Sequence, residues 1–213
     1  MAKVVYQQRH SPTESYDTAI INLLENNGVA VEVIINDVSN YDFSDVDLLI
    51  CGAPGTDFLA NPSSNFISSL DIPIISLCRR TSRETLGMAD NSGIPSLSFF
   101  RVVDNTHPVM QALGWESGSY TIGGYVGSHR ISTLTPGTNL IMDNGETDMA
   151  GLAERIENDK SKIHFGYHRF DVGNDNLFNL FRQTLIYLII TPINLILEAE
   201  QIDNLIRLSW EVV

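Results

Sequence analysis

The apolar positions of the first hundred residues come in two rhythms. Short, mostly apolar runs at residues 4–6, 29–35, 46–51 and 72–77 have the length and composition of buried strands. Between the first two, Tyr16, Ala19, Ile20, Leu23 and Leu24 recur at helical spacing. Ser11-Pro12-Thr13-Glu14 announces that helix as a capping box with proline at the first helical position, and Gly28 is placed to end it. Phe66, Ile67 and Leu70 predict a second, short helix, and Thr81-Ser82-Arg83-Glu84 caps a third. Strand, helix, strand, strand, helix, strand with short connections predicts an α/β fold: a doubly wound, mostly parallel sheet with helices on both faces.

The second half alternates shorter pieces. Residues 96–103, 120–122, 130–134, 140–142 and 163–167 predict strands, and residues 149–156 fit either period. His107-Pro108-Val109-Met110 opens a short helix or turn. Residues 174–190 predict a long helix with Leu177, Leu180, Phe181, Leu185 and Leu188 apolar. After Pro192, the positions Leu195, Ile196, Ile202, Leu205, Ile206 and Leu208 predict an extra amphipathic C-terminal helix. The expected organisation is one α/β domain over residues 1–191 and a helical extension over 192–213. The apolar face of that extension needs cover, from its own domain, from a protein partner, or by self-association through residues 193–208.

Composition narrows the function. Among 213 residues, 43% are hydrophobic and 18% charged, which is enough apolar content for a packed core. The 13 Lys and Arg against 26 Asp and Glu give a net charge of −13, which disfavours nucleic acid and anionic membrane surfaces as partners. The most apolar stretch, residues 185–197, is interrupted by Pro192 and too short to span a membrane, and the N-terminus does not read as a signal peptide. Two cysteines, Cys51 and Cys78, both in or beside apolar runs, read as thiols of a reducing compartment. A cytoplasmic chain, or one assembled into a particle inside the cell, is the expectation. His10, His107, His129 and His164 lack metal-ligand spacing, and there is no phosphate loop or dinucleotide fingerprint. No metal and no cofactor is expected.

Three segments carry a resemblance. Asp47-Leu48-Leu49-Ile50-Cys51-Gly52-Ala53-Pro54-Gly55 resembles the strand and Gly-Gly-Pro-Gly turn of the class I glutamine amidotransferase-like superfamily. Pro73-Ile74-Ile75-Ser76-Leu77-Cys78 resembles its strand leading to a cysteine nucleophile, and Phe165-Gly166-Tyr167-His168-Arg169-Phe170 resembles the strand that supplies its histidine. Thr106 to Met110, residues 152–166 and the long final helix look more like the non-glutaminase, trehalose-utilisation-type branches. That likeness implies a β-hairpin near residues 150–167. The resemblance also implies a site: Cys78 as nucleophile, His168 as its base, and Gly52, Ala53, Pro54, Gly55 and Arg79 around an oxyanion loop.

The departures bear on activity. The glycines expected two residues before and after the nucleophile are Ser76 and Arg80, which crowd a turn that needs small neighbours. Phe170 stands where a glutamate is expected two residues after His168, which leaves Asp171 or Asp175 to orient the imidazole. Arg79, Arg80 and Arg83 form the one dense basic cluster, at the sheet end where a carboxylate or phosphate would bind. The expected function is therefore a non-catalytic amidotransferase-like domain that binds or assembles within a larger complex, of which a viral particle is one example. The alternative is a cysteine amidohydrolase using Cys78 and His168.

Overall fold

The computed structural model describes residues 2–8, 13–52, 63–93, 96–127, 129–145, 149–190, 195–202 and 205–212. In the first half, Lys3–Gln8 (β1), Ser15–Asn26 (α1), Ala30–Ile35 (β2), Leu48–Cys51 (β3), Ser63–Ser69 (α2) and Ile74–Ser76 (β4) follow in order. A π-helical turn, Thr81–Thr85, comes next, and then Ala89–Gly93 (β5), a strand that the apolar pattern does not predict. The second half holds Ser96–Val102 (β6), Pro108–Leu113 (α3), Ser119–Gly127 (β7), Arg130–Leu134 (β8) and Thr138–Asp143 (β9). Met149–Glu157 (β10), Lys160–Phe165 (β11) and Asp175–Ile190 (α4) complete the domain.

These strands form one 11-stranded sheet in the order β2-β1-β3-β4-β11-β10-β9-β6-β7, with β8 joined to β10 and β5. The run from β2 to β11 is parallel, and antiparallel hairpins extend the sheet beyond it. β3, Leu-Leu-Ile-Cys, reads as an unbroken apolar run because both its faces are covered. Val4 and Tyr6, Leu48 and Ile50, Ile75 and Leu77, and Ile163 and Phe165 share one core with α1, α3 and α4. Their alternate neighbours Val5, Leu49, Cys51 and Ile74 share a second core with Ile67 of α2 and with Leu86 and Met88. A two-residue period thus divides each strand between two helical layers.

Residues 149–156, ambiguous by period, are strand. β10 turns into β11 through Asn158 and Asp159 at φ 49° and 59°, the left-handed pair that a tight hairpin turn requires, with Glu157 opposite Lys160. The hairpin implied near residues 150–167 is present. Of the predicted capping box, Ser11 and Pro12 lie outside the described residues. Helix α1 begins behind Glu14, whose side chain makes no capping bond.

The expected C-terminal helix is not formed. Leu195–Ile202 (β12) and Leu205–Val212 (β13) pair antiparallel as a sheet of their own. Apolar residues at 195, 197, 199 and 208, 210, 212 alternate with Glu198, Glu200, Ser209 and Glu211, a period of two that competes with the helical spacing. Asp203-Asn204 between the runs is turn chemistry. No helix among the described residues is long and apolar enough to cross a membrane.

Candidate functional site

Ligands on a sheet of this kind sit beyond the carboxyl ends of the parallel strands. Strands β4 and β11 are neighbours there, with Ser76 opposite His164. Cys78 follows β4 and His168 follows β11, so the sheet carries both to the same end.

No hydrogen bond among the described residues joins them, however. Cys78 is buried at 2% exposure. Its carbonyl accepts from Ser82 N and from the hydroxyl of Ser76, and among the described residues no hydrogen bond joins its thiol to His168. The imidazole of His168 instead lies against that of His129, ring centres 4.6 Å apart and tilted by 32°, with Tyr16 edge-on at 5.6 Å. Among the described residues, Nδ1 of His168 is buried without a hydrogen-bond partner. Burial, then the neighbouring His129 and Arg169, push its pKa down to about 3, so the ring is neutral at pH 7.

Asp171 does not orient that imidazole. Its two oxygens accept from Arg169 at 2.8 and 2.9 Å and from the Ser15 hydroxyl at 3.0 Å. The Arg169 hydrogen bonds hold its carboxyl below the usual carboxylate range. Asp175 opens α4.

The residue missed by sequence reasoning is His129. Its Nδ1–H donates to Leu77 O at 2.9 Å, which fixes the tautomer and leaves Nε2 as the lone-pair nitrogen. Burial lowers its pKa to about 4. Its backbone is clamped to the end of β11: His129 N donates to Gly166 O at 2.6 Å, and His164 Nε2–H donates to His129 O at 3.2 Å. That assignment makes the Ser82 hydroxyl the donor to His164 Nδ1, at 2.8 Å. A Cβ on Gly166 would stand 2.2 Å from His129 O, so only glycine admits this approach. The glycine in Phe165-Gly166-Tyr167-His168 was the available signal, because it marks a close backbone contact.

The oxyanion loop is committed at its start. Gly52 N donates to Gln7 O at 2.8 Å, and Ala53, Pro54 and Gly55 lie outside the described residues. Of the basic cluster, Arg83 pairs with Glu84. Arg79 reaches Ser92 Oγ at 3.5 Å, and its pKa is lowered by burial and by Arg80 and Arg83. Among the described residues no group of His, Cys, Asp or Glu is arranged to hold a metal ion.

A second buried polar cluster lies across β10. His107 caps α3 by accepting from Val109 N at 3.3 Å, so its Nε2–H donates to Glu154 at 3.2 Å. Tyr187 Oη donates to the other Glu154 oxygen at 3.0 Å. Tyr187 also lines a cleft of about 430 Å³ with Pro73, Ser161 and Leu188.

No protein-family model matches the chain, and no curated protein matches it. Solved structures do. A GMP synthase subunit from Thermoplasma acidophilum superposes with a TM-score of 0.66 at 14% identity, covering 90% of this chain and 96% of that one. PurLQS from Thermotoga maritima gives 0.54 at 14% identity, covering 88% and 99%. A cytoplasmic protein from Salmonella typhimurium LT2 gives 0.59 at 8% identity, covering 88% and 99%. Shared topology at such low identity speaks for architecture alone. The chain shares the α/β fold of these structures.

Proposed function

We propose that this chain is a non-catalytic amidotransferase-like domain that serves as a binding or assembly component of a larger complex. The supporting observation is the engagement of His168. Its ring rests on His129, its Nδ1 has no partner, and the nearby carboxylate of Asp171 is taken by Arg169 and Ser15. A working cysteine–histidine pair needs a histidine able to hold a thiolate and a group that orients it. Neither relation is made, and Arg80 and Ser76 occupy the positions where the superfamily keeps glycine. The C-terminal segment 193–208 supplies the assembly function in this reading, through the strands Leu195–Ile202 and Leu205–Val212 rather than a helix.

The test is the alkylation rate of Cys78 against pH in a Cys51→Ser background, with His168→Ala as control. A structural thiol reacts slowly and with the ordinary pKa of about 8.5 or above, unchanged in the control. Fast alkylation well below that pH, abolished by His168→Ala, would overturn the reading in favour of a cysteine hydrolase.

A further inference from the structure

The two edges of the main sheet are treated differently. At one edge, β7 is covered: Asn174 and Asn176 donate side-chain N–H groups to Thr121 O at 3.0 and 2.9 Å, and Gly123 bridges Gly173. At the other, β2 has β1 on its inner side and, among the described residues, no strand on its outer side. Ala30 N and Asn36 N donate inward to Ala2 O and Gln8 O, so by alternation the N–H groups of Val31, Val33 and Ile35 point outward.

Bare edges in monomeric proteins are blunted by lysine, proline, a bulge or an unpaired charge. The segment Ala30–Ile35 has no proline, no lysine and no register shift against β1. Its one charge, Glu32, is drawn back onto Lys3 at 3.6 Å and accepts from Tyr41 Oη at 2.5 Å. Val33 and Ile35 stay 39% and 45% exposed. The one charge is thus turned toward Lys3, which Asp45 shares, and toward Tyr41, while the template for pairing remains.

We infer that β2 is a self-association edge, taking β2 of a second copy in antiparallel pairing about a two-fold axis at Val33. This register sets each outward-pointing residue opposite another: Val33 faces its counterpart, and Val31 faces Ile35. The three form one apolar strip, so the partner surface that fits it is the strip itself. Glu32 then faces Ile34, and the two Glu32 side chains lie diagonal to one another rather than directly opposite. A short edge contact buries less than the roughly 1,000 Å² of a stable interface, so the dimer is weak and concentration-dependent. Each copy carries −13, so salt strengthens the pairing by screening repulsion. This surface is separate from the Cys78–His168 region, and the inference stands whichever way the thiol test falls.

Sedimentation velocity of the whole chain tests it. The expected result is a monomer–dimer equilibrium with a dissociation constant of about 10–100 μM, tightening as salt rises from about 20 to 300 mM. Val33→Pro removes the central outward donor and leaves the inward ladder intact, and Val33→Lys restores a gatekeeper. Each should weaken dimerisation by about tenfold or more with an unchanged circular dichroism spectrum. Should the proline variant fail to fold, Val33→Lys carries the test alone. Val33→Cys should cross-link to itself on mild oxidation and Ile34→Cys should not, since both native cysteines are buried. A chain that is monomeric throughout overturns the inference. So does a dimer indifferent to both Val33 variants, including one that disappears only when residues 193–213 are removed.

Discussion

Two histidine clusters are buried in this sheet, and they are built on opposite principles. His107 has a carboxylate: Glu154 accepts from it, and Tyr187 donates to the second oxygen. His129, His164 and His168 have none, and their ring nitrogens meet backbone carbonyls, a serine hydroxyl or nothing. Burying a charge is tolerable when it is paired, and burying an imidazole without a partner keeps it neutral. The chain therefore places its buried histidine–carboxylate pair where it ties α3 and α4 to β10. At the strand ends, where chemistry is done on such sheets, it leaves the imidazoles uncharged. The comparison favours a strand-end cluster that holds backbone together over one that activates a thiol.

The sharpest break of that comparison is Gly166→Ala. A methyl group placed 2.2 Å from His129 O must displace the clamp between residue 129 and β11. The expected cost is about 4 kcal/mol or more, at the severe end for one substitution, or failure to fold. Urea denaturation measures it. A cost below about 1 kcal/mol would mean that the His129 segment is not held as described.

Glu154→Ala comes next. It removes the acceptor for His107 and Tyr187 at a site 3% exposed, and each buried donor left unpaired costs about 1–3 kcal/mol. Asp171→Ala, at a pair open to solvent on its Arg169 side, should cost no more than about 1 kcal/mol. If the two variants were equally destabilised, the contrast between the clusters would fail.

Acid separates them in another way. Burial, the first cause in each case, holds His129 near about 4 and His164 and His168 near about 3 in the folded chain, against the ordinary value of 6.5. Unfolded chains take up these protons first, so stability is full above about pH 6.5 and falls as pH drops toward 4. At about 1.4 kcal/mol per unit per group, a loss of about 3 kcal/mol or more between pH 7 and 5 is expected. Glu154 acts lower. Burial raises its pKa, but hydrogen bonds from His107, Ser161 and Tyr187 outweigh that and depress it. Its contribution is therefore present above the unfolded carboxyl value and lost beneath it. Urea melts across pH 7 to 5 check the first step, and a flat profile would contradict the neutral cluster.

How legible all this is in the sequence depends on which forces fix each part. The parallel half can be read because a strand buried on both faces has to be an apolar run, and 46–51 and 72–77 are such runs. β5 cannot, because Ala89–Gly93 reads Ala-Asp-Asn-Ser-Gly and owes its strand to pairing with β8. The C-terminal segment satisfies two periods at once, and the strand period wins over the helical one. Within the site, Cys78 and His168 come from motif order, which fixes the strand end and not the side-chain partner. His129 is marked only indirectly, by Gly166, since it follows a glycine-rich stretch and reaches Leu77 only through the fold. Asp171 is suggested by its nearness in sequence to His168, and Arg169, nearer still, claims it.

That last pair offers the smallest and most specific test. Asp171 lies close enough to His168 to raise its pKa, though less than burial, His129 and Arg169 lower it. Arg169→Gln would remove a positive charge beside the imidazole and release both Asp171 oxygens from the guanidinium, while Ser15 keeps its bond. Stability should change by no more than about 1 kcal/mol, because the pair is partly exposed. The His168 pKa, followed by NMR titration of its ring protons, should rise. The alkylation rate of Cys78 should stay where it was, because among the described residues His168 packs on His129 and makes no hydrogen bond to the thiol. A rise in the imidazole pKa with faster alkylation would mean that Arg169 alone keeps a cysteine–histidine pair from forming. A pKa that does not move would mean that neither Arg169 nor Asp171 has an electrostatic hold on the ring.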